Sequence, residues 1–206
     1  MDQGLKAALK PRKAAIQARS RVTVDAIFEA TIQVLLIIGY DKLTTTLVAA
    51  RAGVSVGSLY QYYPNKHALM AAVIERHLSR VVERVEQACA GAVDLPLEEA
   101  IERVCDAFVD AKIERVDVSR ALYGPSADLG GAALVKMMTL RAAQAVLRLV
   151  YARSELGLDQ PELKVLFLLT SMVGPVQAVI EMDAGPDMVH ALRQHLKTIA
   201  RSMLHE

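Results

Sequence analysis

Along almost the whole chain, apolar side chains recur every three or four positions, the period of one face of an α-helix. Ile27, Ala30, Val34, Leu35 and Ile38 do so near the start, and Leu97, Ile101, Val104, Phe108 and Ala111 in the middle. Residue choice agrees. Ala, Leu, Arg, Glu, Gln and Met abound, while strand-favouring aromatics are scarce, with no Trp and three Phe. At 206 residues and 53% hydrophobic, the chain can bury a sizeable core without disulfides or metals. These features predict an all-α fold.

Breakers divide the pattern. The opening segment, with Lys6, Lys10, Arg12, Lys13, Arg19 and Arg21 and interrupted by Pro11, reads as a flexible basic arm over residues 1–20. The spacing predicts a helix from Val24 to Ile38, capped by Thr23 and stopped at Gly39. A short helix fits Thr45 to Ala52, with Thr44 as cap and Leu47, Val48 and Ala52 inward. Gly53 turns the chain, and Ser55 caps a third short helix ending near Tyr62. Asn65 then caps a long helix to about Ala92, with Leu69, Val73, His77, Val81 and Val85 on one face. Tyr123 to Gly131 reads as a loop. Long helices follow, from Ala132 to about Leu156 and from Pro161 to Asp183, the latter with a kink expected at Gly174-Pro175. A last helix is expected from Asp187 to Leu204.

Net charge is only +1, but it is unevenly distributed. Residues 1–66 hold nine Lys/Arg against four Asp/Glu, and the remainder fifteen against nineteen. A basic front suits a polyanionic partner. Two short helices joined at Gly53 make a helix-turn-helix, whose second helix enters the major groove of DNA. That second helix starts with small, neutral residues, as close approach to base edges requires. Gly57 admits the backbone, while Ser58 and Gln61 can hydrogen-bond bases. Tyr60 and Tyr62 offer hydroxyls to phosphates, and Lys66 adds a cation at a helix N-terminus. Tyr63 reads as a core anchor.

The same residues carry a family likeness. Gly39-Tyr40, Thr44-Thr45, Val48-Ala49, Ala52-Gly53-Val54-Ser55, Gly57, Leu59-Tyr60, Tyr63, Lys66 and Leu69 resemble the TetR/AcrR DNA-binding domain, over roughly residues 21–81. The resemblance implies a three-helix DNA-binding domain and a linking fourth helix. It also implies a regulatory and dimerisation body over residues 82–206, with a homodimer formed mainly by the last two helices. By matching positions, Thr46, Val56, Gly57, Ser58 and Gln61 would approach bases, and Thr45, Ser55, Tyr60, Tyr62 and Lys66 would hold phosphates. The family often has His where Tyr62 stands, and Phe where Leu36 and Tyr63 stand. The function it implies is a transcriptional regulator, a repressor released from a palindromic operator by a small molecule that moves the fourth helix.

In the body, polar and soft residues are scattered among apolar ones: Phe108, Tyr123, Met137, Met138, Arg141, Gln144, Phe167, Met172 and Gln177. Together they suggest a pocket for an apolar or amphipathic effector. Two apolar faces near the end are expected to pair across a two-fold axis. One is Val165, Leu168, Leu169, Met172, Val176, Val179 and Ile180; the other is Val189, Leu192, Leu196, Ile199 and Met203.

Other chemistries find little support. Glu99, Glu102, Asp106 and Asp110 read as a solvated helix face. Asp187 and His190 lack a second ligand pair for a metal. No phosphate loop or nucleophile motif is present, so neither an enzyme nor a cofactor is expected. Cys89 and Cys105, without a basic cluster, read as buried thiols. The charged first residues and the lack of a charge-free apolar run of spanning length point to a cytoplasmic protein with no membrane partner.

Overall fold

The computed structural model describes residues 11–152 and 159–205, and every element among them is an α-helix. In chain order these are α1 Pro11–Lys42, α2 Thr45–Ala52, α3 Val56–Tyr62, α4 Lys66–Ala90 and α5 Leu97–Ile113. They continue with α6 Val116–Asp128, α7 Gly131–Tyr151, α8 Pro161–Glu181 and α9 Pro186–His205. The chain forms two compact units that divide between Val73 and Ile74.

In the first unit, α1 packs on α2 and α2 on α3. Ile27, Leu35, Leu43, Val48, Leu59 and Leu69 close the core. Tyr63 meets Phe28 edge-on, ring centroids 6.0 Å apart, and so acts as the anchor expected. Leu47, expected inward, is exposed. The core side of α2 is made by Thr45, Val48 and Ala49, one helical face apart from it. The first helix also begins earlier than Thr23. Residues 11–20, expected as a flexible arm, have helical backbone continuous with α1. Proline at the start of a helix gives up only an N–H that would lack a partner anyway, so Pro11 opens α1 rather than interrupting it. Residues 1–10 lie outside the described residues. Gly39, with φ 76° and ψ 169°, breaks α1 where expected.

The second unit is built around one core to which α5, α7, α8 and α9 contribute Val104, Val146, Met172 and Leu196. Here several expectations are corrected. Tyr123, Gly124 and Pro125 lie inside α6, not in a loop. Burial of Leu122 and Pro125 outweighs the local breaker signal, and the chain turns only at Leu129–Gly130. By contrast α8 runs, as expected, through Gly174 and Pro175, and reaches Glu181. The end expected near Leu156 falls outside the described residues; α7 reaches Tyr151.

Of the acids expected on a solvated face of α5, Glu99 is exposed, but Glu102, Asp106 and Asp110 are paired, together with Glu98. Lys197 on α9 lies 2.7 Å from Asp106, Arg193 pairs with Asp106 and Asp110, and Arg201 with Glu98 and Glu102. Spaced four apart, the three bases form a ladder against the four acids. At the other end of α8, Arg120 of α6 donates to the carbonyl of Ile180 at 2.9 Å and pairs with Asp183, satisfying a helix C-terminus.

The apolar residues of α8 and α9 expected at a dimer seam serve the unit's own core. Val165, Leu168, Leu169, Met172, Val176 and Ile180 are all buried, as are Leu192 and Leu196. What α8 leaves outward is a different stripe, with Leu163, Phe167, Thr170, Gly174 and Ala178 exposed along it and Met182 exposed just past its end. Cys89 and Cys105 are buried, and burial pushes their thiols up to about 11 and about 12. By length and composition alone, Ser20–Lys42 and α8 are apolar enough to cross a membrane; much of each helix's inward face packs in its own unit's core.

Candidate functional site

Two places gather functional chemistry, one in each unit. In the first, the α2–α3 turn is set by its caps. Thr44 Oγ1 accepts from the Leu47 amide at 3.2 Å, opening α2. At its end Gly53 adopts φ 69°, ψ 28°, a left-handed conformation in which a side chain is strained, and the Val54 amide returns to the Ala49 carbonyl at 3.0 Å. Ser55 Oγ then accepts from the Ser58 amide at 3.0 Å and opens α3. Buried Leu59 pins α3 from beneath.

Anchored in this way, α3 presents Gly57, Tyr60 and Gln61 outward, with Val56 and Ser58 half-buried. Thr46 on α2 and the cap Ser55 are also exposed. Tyr60, 48% exposed, has its hydroxyl 3.1 Å from that of Thr45, which is buried. This bond ties α3 to α2 and holds the Tyr60 hydroxyl at the surface. The Ser55 and Ser58 hydroxyls lie 2.8 Å apart, and the Tyr62 hydroxyl donates to Ser20 at 3.2 Å. Lys66 is placed differently from expectation. Its ammonium donates to the carbonyls of Tyr40, at 2.5 Å, and Asp41, and lies 4.1 Å from the Tyr40 ring centroid. It therefore satisfies the C-terminal carbonyls of α1.

The second place is a cavity of about 290 Å³ within the second unit, walled by α4, α5, α6, α7 and α8. Of the residues expected there, Phe108, Tyr123, Met138, Met172 and Gln177 line it. The other four do not. Met137 is exposed, because one residue along a helix turns the side chain about 100° away from Met138. Phe167 is 53% exposed on the outer face of α8. Arg141 is held by Glu86 in a two-pronged pair, at 2.8 and 2.7 Å, and shares a separate side cleft with the exposed Gln144.

Sequence reasoning missed most of the cavity's polar groups. Ser119 Oγ donates to the Lys112 carbonyl at 2.9 Å, and His77 Nε2 lies 3.1 Å from the same hydroxyl. The hydroxyl's single proton is given to the carbonyl, so Nε2 carries a proton and donates to Ser119. Burial, and then the charges of Lys112, Arg80 and Arg115, push His77 down to about 4, against an opposing effect of Asp117. The ring is neutral at ordinary pH. Lys112 is 7% exposed, and its ammonium lies 5.4 Å from the Tyr123 ring centroid. Burial lowers it to about 8. Burial, then Glu181, raises Tyr123 to about 12. A signal for Lys112 existed in the sequence: it continues the apolar stripe of Ile101, Val104 and Phe108, where a lysine is out of place.

Among the described residues no cluster of three or more His, Cys, Asp or Glu is arranged to hold a metal.

Comparison with known proteins matches a segment of each unit to a family model. Residues 27–73 match the model of bacterial regulatory proteins of the tetR family, and residues 96–204 match the tetracyclin repressor-like C-terminal domain. The HTH-type transcriptional repressor KstR of Mycobacterium tuberculosis is 34% identical over 88 residues, covering 39% of this chain and 40% of that protein's length. The fatty acid metabolism regulator protein of Bacillus subtilis is 28% identical over 61 residues, covering 30% of this chain and 31% of that protein. A TetR-family regulator structure from Mesorhizobium loti superposes with a TM-score of 0.74 at 16% identity, covering 91% of this chain and 97% of that one; it shares the fold. The two matched segments, the helix-turn-helix and the helical body with its cavity leave one assignment: the chain belongs to the TetR family of bacterial transcriptional regulators.

Proposed function

We propose that the protein is a homodimeric repressor, released from a roughly palindromic operator when a small apolar or amphipathic effector fills the cavity of its second unit. The observation that carries the reading is the presence of both parts in one chain. The first is a helix-turn-helix whose α3 offers Gly57, Ser58 and Gln61 toward base edges. The second is a mainly apolar cavity with a few polar groups, of the size and chemistry of a small-molecule site. Thr46 and Val56 join the base-reading set; Ser55, Tyr60 and Tyr62 hold phosphates, with Thr45 orienting Tyr60. Lys66 acts by closing α1. The outward stripe of α8, with Phe167 and Gly174 along it and Met182 just past its end, supplies the dimer face together with neighbouring surface of α9.

Release rests on differential affinity. The effector favours a body conformation whose two heads no longer match the groove spacing, and can shift the equilibrium only by that preference. Helix α4 contributes to both units and is the element that carries the shift.

The test is selection of genomic fragments by the purified protein, then footprinting at two salt concentrations. A two-fold symmetric protected site with steeply salt-dependent affinity is expected. In the same assay Tyr60→Phe weakens operator and non-operator DNA alike, whereas exchanging Gln61 changes which base is preferred. No protected site, with or without a panel of candidate effectors, would overturn the reading.

A further inference from the structure

The cavity of the second unit contains a charge that the protein leaves unanswered. Lys112 is more than nine-tenths buried and lines an otherwise mainly apolar space. Among the described residues no carboxylate or carbonyl accepts a hydrogen bond from its ammonium, whose neighbour is the face of Tyr123. The nearby acids are engaged elsewhere or stand outside: Gln177 donates to Glu181 at 2.8 Å, and Asp117 is exposed. A buried cation without a partner is costly, and proteins keep such groups paired or use them.

No second charged side chain lines the cavity; His77 lines it, while Arg80, Arg115 and Asp117, the other charges near its ring, do not. The ring itself is neutral and its Nε2 proton is directed at Ser119, so it adds no counter-charge. Most of the remaining lining is apolar, including Val81, Val85, Leu122, Met138 and Leu169. The space therefore holds one buried cation in a mainly apolar lining with a few neutral polar groups.

We infer that the effector is an amphipathic monoanion, a carboxylate on an apolar body, whose head pairs with the ammonium of Lys112 while its body lies against α4, α6, α7 and α8. One cation balances one negative charge, which selects a carboxylate over a doubly charged phosphate monoester. The cavity of about 290 Å³ lies at the lower end of the range for small-molecule sites, which selects a compact body. This inference rests on the effector reading above and names its chemical class.

The experiment compares decanoate, below its micelle concentration, with decan-1-ol of the same chain length. Binding to the full chain is measured at pH 7 by titration calorimetry, for wild type, Lys112→Met and Lys112→Gln. Decanoate is expected to bind the wild type at least tenfold more tightly than decan-1-ol. Both variants should lose that preference while still binding decan-1-ol, and thermal unfolding of each reports that it is folded. Equal binding of acid and alcohol by the wild type, or an unchanged preference in a folded variant, overturns the anion inference and leaves an uncharged effector standing. If neither probe binds, the cavity is not an effector site for such molecules, and the effector reading fails with it.

Discussion

His77 and Lys112 each sit four residues from a valine or phenylalanine neighbour on their stripes, yet each carries chemistry that burial alters. His77 has a folded value of about 4 against an ordinary 6.5. Between those values the unfolded chain binds a proton that the folded chain refuses. Stability is therefore fully present above about pH 6.5 and is lost as pH falls toward 4. The loss should amount to roughly 1–3 kcal/mol from this group. Denaturant titrations at pH 7.5, 5.5 and 4.5 would show it, and His77→Gln should flatten that limb; an unchanged acid limb in the variant would remove His77 as its source. Lys112 acts over a different range. Its folded value of about 8 lies below its ordinary 10.5, so its charged form penalises the fold below about pH 8. Lys112→Met should accordingly raise the melting temperature at pH 7 in the ligand-free protein, and a lower one would mean the ammonium is compensated. The sequence placed His77 on an inward face and showed Lys112 in register with an apolar stripe, but neither fact located a cavity. Whether an inward polar side chain meets a partner or a void depends on residues from other helices.

At the scale of elements, junctions decide more than the helices do. The α6–α7 corner lines the cavity, and there Gly131 lies so close to Ser126 that an added Cβ would fall 2.4 Å from its backbone oxygen. A hydroxyl could rotate away, but a carbonyl could not without moving α6. Gly131→Ala should therefore cost about 1–3 kcal/mol of stability through overpacking. A denaturant midpoint within error of wild type would show that the corner yields freely. The α5–α9 ladder illustrates the reverse case, in which side chains legible as charged in sequence acquire their role only by juxtaposition. Lys197 lies 2.7 Å from Asp106 with its side chain mostly covered, so Lys197→Glu places like charges together. It should lower the thermal midpoint by several degrees, with Asp106→Lys added on top restoring part of the loss; additive losses in the double variant would deny the pairing. Local signals had found the caps at Thr44, Ser55 and Asn65, because a cap acts within one turn of its own residue. They failed at Tyr123–Pro125, where burial of Leu122 and Pro125 overrides the breakers.

For the whole molecule, the outer stripe of α8 is the surface on which assembly should turn. Phe167 stands exposed among Leu163, Thr170 and Gly174, and touches neither the core nor the cavity. Phe167→Arg should yield a folded monomer by sedimentation velocity and lose operator affinity, since two half-sites are then no longer bound together. A variant that stays dimeric would move the interface elsewhere. The residues first expected at that seam were apolar and correctly spaced, but periodicity marks only that a face is to be buried, not against what. The helical class, the helix-turn-helix and its outward-facing residues were written in local order: period, caps and a glycine that tolerates φ 69° at position 53. The cavity, its lone buried lysine, the α5–α9 ladder and the choice of which α8 face stays outside arise from contacts between residues far apart in the chain. Those depend on how whole helices pack, and a one-dimensional pattern records a helix's faces without recording its neighbours.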